Sequence, residues 1–138
     1  MGFPSGTVTL LFADVEGSFR LWEADREAMA EASAGYHRIV REQVEAAGGQ
    51  VVTSVGEAVR AVFADPSAAL TAAVALQRAA GTEPWPSGSP IQVRVALHSG
   101  DCVERDGDYA GPVHHRTDIV AVTLDTGSRV QRHPHSDG

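Results

Sequence analysis

Cysteine is nearly absent from this chain. Cys102 stands alone, so an internal disulfide is excluded. That suits the reducing cytoplasm, and its apolar neighbour Val103 points to a buried, unreactive thiol. There is no run of about eighteen apolar residues, so no transmembrane helix is expected. The opening MGFPSG has neither a basic nor an apolar leader region, so no signal peptide is expected. A GxxxxGK phosphate loop is also missing, which argues against an ATPase of that class. Basic residues are in deficit, 11 against 18 acidic, for a net charge of −7. Nonspecific attraction to nucleic acid is therefore not expected.

What is present begins with TVTLLFADVEGSFR, Thr7 to Arg20. Val8, Leu10 and Phe12 fall on one side of a strand and Leu11 on the other, a pattern for a central strand covered on both faces. Asp14 appears where the apolar run ends. Gly17 permits a tight turn, and Ser18 or Phe19 opens a helix. Free N–H groups at such a turn suit an anion of phosphate size. A carboxylate beside that anion site suggests a magnesium-bridged nucleotide. The plainer alternative is that Asp14 caps the helix and Gly17 only turns the chain.

The remainder reads as one modest domain, with 138 residues of which 43% are apolar. Leu21 and Trp22 continue a short helical turn. A longer helix is predicted over 27–47, with Met29, Tyr36, Ile39, Val40 and Val44 at helical spacing, ended by Gly48 and Gly49. A hairpin follows: a strand from Val51, a turn over Val55 to Ala58 with Glu57 at its tip, and a returning strand from Val59 to Phe63. Asp65-Pro66 is a helix start, and Gly81 is expected to stop that helix. Three prolines then make a loop up to Pro90. Ile91 to His98 alternates as a strand, and turns are expected at Ser99-Gly100-Asp101 and Asp106-Gly107-Asp108. The segment from Gly111 to Leu124 is β-branched and poorly helical. From Asp125 onward the polar chain reads as a disordered tail. Trp22 and Trp85 are expected to pack at the rim. The element order implies an α+β fold with helices on one face of a sheet.

Four blocks, LLFADVEGSFRLWE, GGQVVTSVGEAVRAVF, VRVALHSGD and RDGDYAGPVHHR, resemble class III nucleotidyl cyclase catalytic domains of the actinobacterial type in order and spacing. The resemblance covers Gly6 to Val120. It implies a ferredoxin-like antiparallel sheet with helices packed on it, a cyclase-homology domain over 1–124, and a C-terminal part replaced by the tail 125–138. It also implies a dimer with active sites between subunits. Two Mg2+ or Mn2+ ions would be shared between two carboxylates and the triphosphate of ATP or GTP, and the ribose 3′-oxygen would attack the α-phosphorus to give the cyclic nucleotide and pyrophosphate. On this likeness Asp14 is the first metal ligand and Val15 assists through its carbonyl. Glu16, Gly17, Ser18 and Phe19 form the phosphate loop, and Asp108 takes part in base selection.

Other positions depart from the family pattern. Glu57 replaces the second metal aspartate, Thr53 a base-selecting lysine, His115 the ribose-orienting asparagine, and Ile119 the helical transition-state arginine. Loss of that guanidinium implies on the order of 10³-fold lower catalysis, by analogy with arginine fingers. Arg116, three helical positions away, would point elsewhere. The expected function is thus a cyclase-homology domain with impaired or lost catalysis. The alternative is an active adenylate cyclase, working as a heterodimer whose partner supplies the missing residues. Zinc binding by His114-His115 and His133-Pro134-His135 is disfavoured, because adjacent histidines cannot easily share a tetrahedral site.

Overall fold

A computed structural model describes residues 6–105, 108–110, 119–122 and 130–133, with side chains over residues 7–100. The elements are β1 (Gly6–Val15), α1 (Ser18–Ala24), α2 (Arg26–Ala46), β2 (Gln50–Val55), β3 (Ala58–Phe63), α3 (Pro66–Thr82), β4 (Val93–Arg105), β5 (Asp108–Ala110), β6 (Ile119–Val122) and β7 (Val130–His133). The strands form one sheet in the order β2-β3-β1-β4-β6-β7, with β5 paired to β4. Every pairing is antiparallel. This is the expected α+β sheet with helices on one face. No helix among the described residues is long and apolar enough to cross a membrane.

β1 is central because both sides of its apolar run have somewhere to go. Leu11, Ala13 and Val15 join Val59, Ala61 and Phe63 of β3, and Val95 and Leu97 of β4, in the main core. On that face the sheet meets Met29, Tyr36, Val40 and Val44 of α2 and Ala69, Ala72, Ala73 and Leu76 of α3. The opposite face carries a second buried cluster of Val8, Leu10 and Val62, with Phe12 and Val52 packed against it. Trp22 and Trp85 are partly buried against the main core, as expected of rim residues.

The helix ends follow local chemistry. Asp25 and Asp65 cap α2 and α3, their carboxylates accepting from the N–H groups of Ala28 and Ser67. α2 closes with paired reverse bonds, Gly49 N–H to the Val44 carbonyl and Gly48 N–H to that of Glu45, with Gly48 at φ 84°. This double bond pattern requires the left-handed residue that glycine supplies.

Four expectations need correction. Gly81 does not stop α3, which runs to Thr82. The stop comes at Glu83, because a residue before proline is driven out of helical conformation. Ser99-Gly100-Asp101 is not a turn. β1 is long enough to pair with these residues through Thr9, Val8 and Thr7, and the Thr9 and Ser99 hydroxyls meet at 2.7 Å. The β-branched stretch at Ile119 is strand β6 and not a helix, paired with β4 through His98↔Ile119. The tail is not wholly irregular either, since Val130–His133 pairs with β6. Backbone pairing along an open strand edge does not need apolar side chains. The turn at Asp106-Gly107 and residues 111–118 lie outside the described residues, as does the side chain of Cys102.

Gly49 marks a close junction between the end of α2 and the sheet. A Cβ there would collide with the ring of Phe63, which is 1% exposed. Gly49→Ala should therefore cost about 1–3 kcal/mol by overpacking. Chemical denaturation would check this, and unchanged stability would mean that the ring moves freely.

Candidate functional site

The site-bearing end of the sheet is where β1 finishes, β3 begins and β4 enters. Ala13 pairs with Val59, Asp14 with Arg94, and Val15 with Val93. Those registers bring Asp14 beside the Gly56-Glu57 turn of the hairpin. Gln77 of α3 donates to the Val93 carbonyl at 2.8 Å and so fixes the start of β4 against the helix layer.

Asp14 is half open to solvent. One carboxylate oxygen accepts from the Val15 N–H at 2.8 Å, and the other from an Arg94 Nη at 2.8 Å. The Asp14 and Arg94 side chains are 43% and 60% exposed. Such an ion pair contributes less than about 1 kcal/mol, so a stronger ligand can displace it.

Glu57 is placed differently. Its Oε1 accepts from the Trp22 indole N–H at 3.2 Å, and its Oε2 accepts from the Ser33 hydroxyl at 2.9 Å. Its main-chain carbonyl accepts from the Tyr36 hydroxyl at 2.7 Å. The hairpin tip is thereby tied to α1 and α2 at three points, and the carboxylate is turned toward the helices. Tyr36 is fully buried beneath both acidic residues. Burial raises its phenol pKa well above the ordinary value, and the charges of Asp14 and Glu57 raise it further.

The expected phosphate loop is a turn with Gly17 at φ 65°. Glu16 uses its N–H on the Gln92 carbonyl at 2.8 Å, and the Gly17 carbonyl accepts from Leu21. Ser18 and Phe19 begin α1, and Phe19 is 75% exposed. Thr53, on β2, accepts at 3.2 Å from Arg60 Nε on β3. Asp108 opens β5 opposite Arg105, remote in sequence from Thr53. Ile119 opens β6, so the helical arginine position assigned to it is a strand position in this chain. His115, Arg116 and the histidines at 114 and 135 lie outside the described residues. His133 is the last residue of β7.

Sequence reasoning missed Trp22, Ser33, Tyr36, Arg60 and Arg94 as parts of this end. Ser33 carried a signal, being a hydroxyl on the inward stripe Met29-Ser33-Tyr36-Val40, where a buried donor needs an acceptor. Arg60 carried another, a charge within the apolar strand AVRAVF.

A family model for the adenylate and guanylate cyclase catalytic domain matches residues 3–137. The chain belongs to this cyclase family. An uncharacterised protein of Mycobacterium tuberculosis is 40% identical over 116 residues, covering 83% of this chain. The chain spans only 38% of that relative's length. A cyclase described as adenylate/guanylate cyclase/hydrolase, from Silicibacter pomeroyi, has a TM-score of 0.68 at 31% identity, over 80% of this chain and 66% of that one. An adenylate cyclase from Trypanosoma brucei, solved in its monomeric state, has a TM-score of 0.72 at 24% identity, over 82% of this chain and 67% of that one, a likeness of fold.

In this cyclase domain the described donors do not fit a two-ion centre. Asp14 is reachable, but Glu57 is committed to Trp22 and Ser33, and the described residues contain no group of three or more His, Cys, Asp or Glu that could hold an ion. Glu57→Ala distinguishes a latch from a ligand. A latch predicts a loss of about 1–3 kcal/mol, because two donors lose their acceptor. A ligand repelled by Asp14 would predict a gain.

Tyr36→Phe should cost about 1 kcal/mol at pH 7 through the lost bond to Glu57. The pH dependence has a definite sign. A phenol pKa raised in the folded state stabilises fully below the ordinary value of 10.0, and that contribution is lost as pH rises above it. The chain has no lysine, so no ammonium side chain titrates alongside this phenol. Melts from pH 7 to 11 should show a steeper alkaline loss in the wild type than in Tyr36→Phe.

Proposed function

We propose that this cyclase-family domain binds a purine nucleoside triphosphate and has impaired or lost cyclisation. The observation that carries the reading is the inward commitment of Glu57. The family uses divalent ions, and the reaction implied by the resemblance needs two carboxylates converging on them. With one of the two held by an indole and a hydroxyl, only Asp14 is left to face such ions. The departure at Thr53 adds to this, since threonine is shorter than the lysine that the resemblance implies there.

The residues left for binding are still substantial. Asp14 and Arg94 offer charge at the open end of β1, and Thr53 and Asp108 stand at the positions that the resemblance assigns to the base. The domain is read as working in the cytoplasm, where both nucleotides are available and a lone cysteine stays reduced. It is read as a dimer, since the family's sites form between two chains.

A second reading is favoured by the openness of Asp14. An exposed carboxylate in a weak ion pair can serve a heterodimer whose partner brings the missing asparagine and arginine. The two readings separate in a manganese-dependent cyclic nucleotide assay, with ATP and GTP run separately. The purified chain should give no product above an Asp14→Ala control, and mixing with an active cyclase domain should add nothing. Product lost in Asp14→Ala would reject the impaired reading. A gain on mixing that needs Asp14 would establish the heterodimer.

A further inference from the structure

We propose that α1 of one copy of this chain docks in a groove on α3 of a second copy, with Phe19 as the inserted side chain. The contact does not depend on the nucleotide reading. It starts from a mismatch between α3 and its surroundings. α3 carries one charge, Arg78, among its 17 residues. A helix that is apolar all round is expected to be covered on every side. Ala69, Ala72, Ala73 and Leu76 do join the main core. The other side of the helix leaves Leu70 exposed and Val74 and Ala75 only partly buried. There, Leu70, Thr71, Val74, Ala75 and Arg78 line a groove of about 570 Å³. The exposed Arg78 side chain has no ion pair or hydrogen bond among the described residues.

The matching surface is on α1. This helix has no buried residue, and Phe19 in its first turn stands exposed. That exposure shows that the ring is not held by the groove of its own chain. Glu23 lies four residues on, on the same face of α1. It too is exposed, with no side-chain partner among the described residues. α1 thus presents an aromatic ring and a carboxylate about 6 Å apart along its axis. α3 presents the apolar recess at Val74 and the Arg78 guanidinium four residues on, at the same spacing. With the ring in the recess, Glu23 of one copy meets Arg78 of the other.

Complementary patches on different parts of one molecule make a heterologous contact. A copy that gives its Phe19 keeps its own groove open, so association continues or closes into a ring. One inserted ring and one exposed ion pair make a small interface, and the assembly is accordingly reversible and dependent on concentration. Two copies of net charge −7 repel each other overall, and the opposite local charges set the orientation in which they meet.

Sedimentation equilibrium of the full chain over a wide concentration range tests the contact, with circular dichroism to confirm that each variant is folded. The wild type should self-associate. Phe19→Ser should weaken association roughly tenfold or more, the worth of burying one such ring. Glu23→Arg and Arg78→Glu should each weaken it, and the double variant Glu23→Arg/Arg78→Glu should recover it. Phe19→Ser mixed with Leu70→Asp should form one-to-one pairs and nothing larger, since one variant keeps the groove and the other the ring. A wild type that stays monomeric at the highest concentration overturns the proposal. So does association that Phe19→Ser leaves unchanged in strength and size, which would place the contact on another face. A double variant no better than its single parents overturns the pairing of Glu23 with Arg78 and the docking orientation with it. Should Leu70→Asp fail to fold, Phe19→Ser and the charge exchange decide alone, since all three of their positions are exposed.

Discussion

A carboxylate at a hairpin tip can be satisfied by water, by a cation or by the protein's own donors. Glu57 takes the third course, and the site-bearing end of this domain is built around that choice. Its oxygens hold Trp22 of α1 and Ser33 of α2, and its carbonyl holds Tyr36. A glutamate side chain is long enough to reach both donors. Ser33 and Tyr36 are buried, so their hydroxyls would be costly to leave without acceptors. The same contacts that steady the turn direct the carboxylate toward the helices.

The sheet then separates two kinds of chemistry on its two faces. The helix-facing side is apolar and tightly packed, from Leu11 and Phe63 to Leu76. The other side carries Asp14, Arg94, Arg60 and Thr53 around Phe12. Antiparallel registry of β1 with both β3 and β4 sets these side chains in rows. A one-residue slip would turn every one of them to the wrong face. Core packing and site geometry are therefore one constraint, and Gly49 against Phe63 is a distant part of it.

Much of this was readable from the residues. The apolar strand before Asp14, the Asp65-Pro66 helix start, the glycine pair after α2 and the hairpin around Glu57 each have a local cause, and each lies where expected. What could not be read depends on contacts distant in sequence. Ser99-Gly100-Asp101 looks like a turn until β1 supplies a pairing partner. Gly81 looks like a stop, but α3 runs through it to Thr82 and Pro84 ends the helix. Ile119 was assigned a helical role by likeness, against its own β-branched neighbourhood, and strand pairing with His98 prevailed. The turning of Glu57 toward Trp22, 35 residues away in sequence, and of Arg60 toward Thr53 left no periodic trace.

If Glu57 is a latch, Asp14 and Glu57 do not share a metal ion. Anomalous diffraction from crystals grown with Mn2+ and a non-hydrolysable nucleotide tests this most directly. The expected result is no manganese peak bridging the two side chains, with Glu57 still bonded to Trp22 and Ser33. Two manganese ions coordinated by both Asp14 and Glu57, with the Trp22 and Ser33 bonds broken, would contradict it.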